Sequence, residues 1–200
     1  MMSERPSVEF PYEALRTDRR LLEECTEILR RGALALFPTD TVYGIGCRAD
    51  REESVEKIYR IKRRPRDLAI PVLISDPEDL EIYGMPGEEA LRLARENWPG
   101  ALTLVVFSRG KLAPSLSSSE SLGFRCPDAP ILRELIRRLG VPLAATSANR
   151  SGCAEVFSPE DLPEDFRAGI DLILNGGRLP HRRPSKVIDC TVSPSQVLRS

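Results

Sequence analysis

The chain has 200 residues, a formal net charge of −1, 41% hydrophobic and 30% charged residues. That composition fits a single globular domain over residues 1–200, able to bury a core without staples, and its near-neutral charge leaves any basic site to be a local one rather than a global pull toward nucleic acid or membrane. Five scattered cysteines without a Cys-x-x-Cys pair, one histidine (His181), no apolar leader and no apolar stretch near about 18 residues argue against a zinc site, secretion and membrane spanning, and for a reduced, cytoplasmic chain.

Residues 1–16 read as an irregular N-terminal arm. Leu21, Leu22, Cys25, Ile28 and Leu29 share one face of a helix over 18–31. "ALALF" (33–37) is a continuous apolar run, as in a strand covered on both sides. Asp50 and Glu53 resemble a capping box for a helix carrying Val55, Ile58 and Tyr59, with Pro65 as its stop. "AIPVLIS" (69–75) reads as a strand, and Leu91, Ala94 and Trp98 recur at helical spacing. Strands follow at "ALTLVVF" (101–107) and "LGFR" (122–125), separated by a serine-rich loop at 115–121 that reads as mobile. Leu132, Leu135, Ile136 and Leu139 form another helical face, which Gly140 ends. "VPLAAT", "IDLIL", "KVIDCT" and "QVLR" complete the strands. The alternation predicts an α/β fold, and the uneven spacing of the later strands predicts a mixed, twisted sheet flanked by helices. Ligands of such sheets sit at strand ends.

Four patches carry chemistry-bearing side chains. "PTDTVYG" (38–44) breaks a buried strand with hydroxyls, a carboxylate and glycine, which builds a turn or a ligand site. "RIKRRPR" (60–66) places five cations in seven residues, either decorating a helix end or clamping a polyanion. In the second case Arg64, extended before Pro65, grips phosphate with its planar fork. "TSANRSG" (146–152) offers hydroxyls and a carboxamide but gives Ser147 no basic partner that would make it a nucleophile. "RLPHRRPSK" (178–186) is a basic loop, solvated or functional, and His181 within it lacks an evident acidic orienter. Together they point to a phosphate-rich ligand, a neutral hydrogen-bonding pocket and no protein metal cage. No P-loop or Gly-x-Gly-x-x-Gly signature is present.

In this order, "FPTDTVYGIG", "KRRPRD", "IPVLIS", "WPGALTLV", "GFRCP", "TSANRSG" and "SKVIDCT…VLR" strongly resemble the YrdC family of threonylcarbamoyl-AMP synthases, from about residue 20 to 199. The resemblance implies a twisted mixed sheet with a wide basic concave face. It also implies a reaction in which L-threonine, bicarbonate and ATP give threonylcarbamoyl-AMP and pyrophosphate. A downstream transferase system then passes the threonylcarbamoyl group to tRNA. Residue by residue it implies that Thr39, Arg125 and Ser147 hold L-threonine. Lys62 and Arg64 would grip ATP and carry the catalysis, with Ser121, Asn149, Ser185 and Arg199 as further nucleotide contacts. Mg²⁺ would arrive with ATP.

The chain departs from the family pattern at Leu68, Ala69, Ala129 and Lys186, and its loop after "SANRSG" reaches Ser158-Pro159 about three residues late. These departures leave a second reading: a YrdC-like RNA-binding protein that forms no adenylate, with weak tRNA or double-stranded RNA binding by the stretches at 60–66 and 178–186. Few aromatics outside apolar runs are available for base stacking.

Overall fold

The computed structural model describes residues 7–181 and 183–200. Its strands are β1 (Val8–Pro11), β2 (Ala35–Phe37), β3 (Gly44–Arg48), β4 (Val72–Leu73), β5 (Gly84–Met85), β6 (Leu102–Ser108), β7 (Ser121–Arg125), β8 (Leu143–Ser147), β9 (Leu172–Asn175), β10 (Lys186–Asp189) and β11 (Gln196–Arg199). Its α-helices are α1 (Arg19–Arg30), α2 (Glu52–Lys62), α3 (Asp79–Tyr83), α4 (Glu88–Asn97), α5 (Pro130–Leu139) and α6 (Glu164–Arg167). The strands form one sheet in the order β1-β9-β2-β3-β8-β4-β7-β6-β10-β11, with β5 added to β6. The pairs β1–β9, β2–β9, β4–β7 and β6–β10 are parallel and the others antiparallel, so the mixed sheet expected from the strand spacing is present.

Period-two alternation divides the buried residues between two cores. Leu36, Ile45, Val72, Leu104, Phe124, Ala144 and Ile173 face one side, where Val55, Ile58 and Tyr59 of α2 and Ala90 and Ala94 of α4 cover them. Ala35, Phe37, Leu73, Leu143, Ala145, Leu172 and Leu174 face the other, under Leu22, Cys25 and Leu29 of α1 and Leu132, Leu135 and Ile136 of α5. That second cover stops at β4. Further across the same face come Arg125, the register partner of Leu73, then Thr103 and Arg199, whose shared neighbour is Val187. The uncovered half of the face is the floor of the site.

Several local expectations are corrected. The arm reading fails for residues 8–16: Val8–Pro11 pair with β9, and a 3₁₀ turn follows at Tyr12–Arg16. Asp50 does not cap α2, because its carboxylate is taken by Arg48 at 2.7 Å and the N-cap residue is Arg51. The strand expected over 69–75 pairs only at Val72–Leu73. Glycines hid β3 from a propensity reading. Gly46 has no room for a side chain, since a Cβ there would lie 2.7 Å from the Ala144 carbonyl oxygen and 3.0 Å from the Phe37 ring. Among serines 115–121, Ser115 belongs to a 3₁₀ turn, and the hydroxyls of Ser117, Ser119 and Ser121 bond to one another.

The N-terminal segment also completes α5. The first N–H groups of a helix have no partner within it, and here the Leu132 N–H donates to the buried Tyr12 hydroxyl at 2.9 Å. Tyr12→Phe should therefore lower stability by about 1–3 kcal/mol, the cost of an unsatisfied buried donor. Chemical denaturation checks this, and an unchanged midpoint would contradict it.

Candidate functional site

The turn after β2 is organised by a single hydroxyl. Thr39 Oγ1 donates to the Val42 carbonyl at 2.7 Å, accepts from the Thr41 N–H at 3.1 Å and lies 3.0 Å from Thr41 Oγ1. This local bonding replaces the strand ladder that the threonines and Asp40 would otherwise need. Arg125, at the end of β7, is fixed over the turn by three contacts. Its Nε donates to the Gly100 carbonyl at 3.0 Å, its Nη1 to Thr41 Oγ1 at 3.1 Å, and its Nη2 to the Asp40 carboxylate. The Arg125 and Asp40 side chains are only 8% and 9% exposed, so this is a buried ion pair. Burial lowers the Arg125 pKa, opposed by Asp40, and the guanidinium stays charged.

A second group assembles where α2 ends. Arg63 adopts the left-handed conformation, φ 50° and ψ 43°, and the N–H of Arg64 closes the turn on the Tyr59 carbonyl at 3.0 Å. On a continuing helix, residues two apart point to opposite sides. Lys62, still on α2, faces inward, and the left-handed turn at Arg63 takes the chain off the helix so that Arg64 goes onward to the cleft. The Arg64 guanidinium is held by the carbonyls of Leu68 at 3.0 Å and Ala69 at 2.7 Å. The departures from the family pattern at 68 and 69 thus leave this contact intact, because it uses backbone oxygens alone.

Lys62 is 2% exposed. Its ammonium donates to the carbonyl of Ser147 at 2.6 Å, to the carbonyl of Asn149, and to Asn149 Oδ1 at 3.2 Å. Burial first, then the Arg64 cation, brings its pKa down to about 8. Ser147 Oγ donates to Asn149 Oδ1 at 2.6 Å, and Asn149 Nδ2 to the Cys153 carbonyl. At the far strands, Arg199 of β11 donates to the Ser185 carbonyl at 2.9 Å and to Ser185 Oγ at 3.2 Å, and Ser185 Oγ lies 2.8 Å from Thr103 Oγ1.

Six of the sequence-predicted residues, Thr39, Arg64, Arg125, Ser147, Ser185 and Arg199, line one cleft of about 200 Å³. Lys62 and Asn149 stand behind its wall, joined to Ser147. Ser121 is not brought to the cleft. It begins the strand that Arg125 ends, four residues away, or about 13 Å at the usual rise of a strand. Thr41, Thr103 and Glu155 belong to the site and went unnoticed. Thr41 lay within the quoted hydroxyl cluster, and Thr103 was a hydroxyl inside an otherwise apolar strand. Glu155 had no sequence signal.

The remaining basic residues are largely engaged elsewhere. Arg66 pairs with Glu56 and covers the Tyr59 ring at 4.6 Å. Arg178 grips Asp161 at 2.7 and 2.9 Å, and the His181 ring lies 4.2 Å from that of Phe157. Arg182 lies outside the described residues. Lys186 is exposed at the start of β10, and Ala129 precedes α5 as a buried N-cap. Among the described residues no group of three or more His, Cys, Asp or Glu side chains is placed to hold a metal, and no helix is long and apolar enough to cross a membrane.

The sequence model of a family described as telomere recombination, Sua5/YciO/YrdC, matches residues 27–200. A threonylcarbamoyl-AMP synthase of Bacillus subtilis is 36% identical over 188 residues, covering 92% of this chain and 54% of that protein, so the chain spans about half of its length. An uncharacterised Escherichia coli protein, YciO, is 30% identical over 90% of this chain and 89% of its own. Among solved structures, Pyrococcus abyssi Sua5 complexed with L-threonine superposes with a TM-score of 0.88 at 33% identity, covering 98% of this chain and 57% of that one.

Two substitutions separate the electrostatic from the conformational part of this site. Asp40→Ala should cost about 3–5 kcal/mol, because it leaves the Arg125 charge buried and unpaired. Arg63→Gly should stabilise by roughly 1 kcal/mol, because glycine adopts the left-handed conformation without the Cβ clash. Thermal and denaturant unfolding of both variants check this. An Asp40→Ala protein as stable as wild type, or a destabilised Arg63→Gly, would contradict the respective assignment.

Proposed function

The chain belongs to the Sua5/YciO/YrdC family, and from that membership we propose that it is an L-threonylcarbamoyladenylate synthase acting in the cytoplasm. It would combine L-threonine, bicarbonate and ATP into threonylcarbamoyl-AMP and pyrophosphate. The observation that carries the reading is the convergence of Arg64, Arg125 and Arg199 with the hydroxyls of Thr39 and Ser147 on one small cleft. The threonine carboxylate, bicarbonate and the ATP phosphates need cations to bring them together, and an adenylyl transfer between two bound anions needs alignment more than a protein nucleophile. The B. subtilis and P. abyssi relatives support the choice of substrates.

In this reading the Thr39 turn and Arg125 receive the amino acid. Arg125 meets its carboxylate with a guanidinium whose position Asp40, Thr41 and Gly100 have already fixed, so little freedom is lost on binding. Ser147 borders the same substrate. Arg64 and Arg199 take the phosphates of ATP. Both are partly desolvated, and burial lowers the pKa of each. A guanidinium in such surroundings meets an anion more strongly than it does in water. The amine captures bicarbonate as a carbamate, and a carbamate oxygen attacks the α-phosphorus while pyrophosphate leaves. The hydroxyl donors on the wall fit a hard cation carried in by phosphate better than a resident one. Mg²⁺ bound to ATP would neutralise the leaving pyrophosphate, with hydroxyls of the wall such as that of Thr146 available as oxygen donors. The adenylate then passes to a transferase system that modifies tRNA. Because Lys62 faces inward, Arg64 is turned into the cleft and Arg66 and Arg178 are paired, tRNA contact with this chain would be weak and sensitive to salt.

Purified protein with ATP, Mg²⁺, L-threonine and bicarbonate should release pyrophosphate and form a labile adenylate. Omission of either threonine or bicarbonate should abolish release. Pyrophosphate release that is indifferent to threonine would overturn the reading.

A further inference from the structure

The charged side chains that line the cleft are cations with one exception. Arg125 is already matched by Asp40, while Arg64 and Arg199 hold only backbone and hydroxyl oxygens. Glu155 is the carboxylate that lines the cleft beside them. It lies close enough to Arg199 for the two charges to interact, yet among the described residues its carboxylate forms no hydrogen bond or ion pair of its own.

Its position is nevertheless set by its neighbours. Val156 is 6% exposed, and its carbonyl accepts from the Tyr43 N–H at 3.2 Å. The Phe157 carbonyl accepts from the Leu179 N–H at 2.7 Å. On the other side the Cys153 carbonyl is bound by Asn149 Nδ2. The backbone is thus clamped on both sides of Glu155, and a carboxylate with no internal partner is presented to the cleft.

All three substrates in the proposed reaction bring anionic groups, which the arginines match. One group is different: the amino acid enters with its amine protonated, and that nitrogen must lose a proton before it can attack carbon. We propose that Glu155 binds the substrate ammonium and accepts this proton. This deepens the threonylcarbamoyl-AMP reading and rests on it. The N–H bond breaks and the proton passes to a Glu155 carboxylate oxygen, leaving the lone pair on nitrogen. The neutral amine attacks the bicarbonate carbon, the N–C bond forms and the C–OH bond breaks. The departing hydroxide takes the second amine proton and leaves as water. Glu155 then returns its proton to solvent, and the carbamate is ready for the α-phosphorus. A general base of this kind contributes through both binding and proton transfer, so its loss is visible in the pH profile as well as in affinity.

The test compares wild type with Glu155→Gln and Glu155→Asp. Because the side chain has no internal bonds, all three should melt alike. Glu155→Gln should raise the KM for L-threonine about tenfold or more and leave that for ATP within about twofold. Its kcat/KM for threonine should climb with pH as free amine becomes available, narrowing the gap to wild type at alkaline pH. Glu155→Asp should recover part of the loss. An unchanged threonine KM with a wild-type pH profile would overturn the proposal, and so would a rise confined to the KM for ATP. Calorimetric titration of L-threonine alone separates this proposal from the function it rests on. If wild type makes no threonine-dependent pyrophosphate, the functional reading fails. Weaker threonine binding by Glu155→Gln would still support the ammonium contact, and equal binding would overturn it.

Discussion

A buried ammonium holds the site together. Lys62 has three N–H donors, and the structure gives it three acceptors: the carbonyls of Ser147 and Asn149 and the side-chain oxygen of Asn149. The tie is reciprocal, since the Lys62 carbonyl accepts from the Ser151 N–H at 3.3 Å. Taking a cation out of water is costly unless its partners are complete, and breaking such a set typically costs about 3–5 kcal/mol. The end of α2 and the loop after β8 are therefore bonded into one unit. The left-handed turn at Arg63 follows from this arrangement: it lets one segment send Lys62 into the protein and Arg64 to the cleft.

The remainder of the site follows from how the sheet is covered. Helices α1 and α5 pack on apolar residues of β2, β4, β8 and β9, but the same face of β6, β7 and β10 carries Thr103, Arg125 and Val187 instead. An apolar helix face laid over Arg125 and Thr103 would leave their polar groups without the partners they now have. Among the described residues no helix covers the face there, and the arginines are held from the side by backbone carbonyls and by Asp40. An anion entering the cleft meets donors that are already oriented. This preorganisation is what a positioning mechanism requires.

Some of this was legible in the sequence. The apolar periods of α1, α4 and α5 and the runs of β2 and β6 stood out because each buries one face or two. Gly140 ends α5 in the left-handed conformation that its position suggested. Other elements were hidden for physical reasons. Strand β3 contains two glycines because Phe37 lies across it, and glycine reads as a turn. Strand β1 is mostly exposed and is defined by its partner β9, which no local pattern encodes. The site was legible as a set of motifs, since Thr39, Arg64, Arg125, Ser147, Ser185 and Arg199 do converge. The roles within it were not. That Arg64 reaches the cleft while Lys62 faces the protein depends on the left-handed backbone at Arg63, which takes the chain off the helix after Lys62, and Glu155 depends on where a loop is clamped.

The account therefore turns on whether Lys62 acts as a tie or as a hand on the nucleotide. Calorimetric binding of ATP and of L-threonine, each titrated alone into folded wild type and Lys62→Met, separates the two. A tie that positions Ser147 and Asn149 serves both substrates, so both affinities should fall by about tenfold or more, a loss of roughly 1.4 kcal/mol each. A fall in ATP affinity with threonine binding unchanged would place Lys62 on the phosphates and contradict the account.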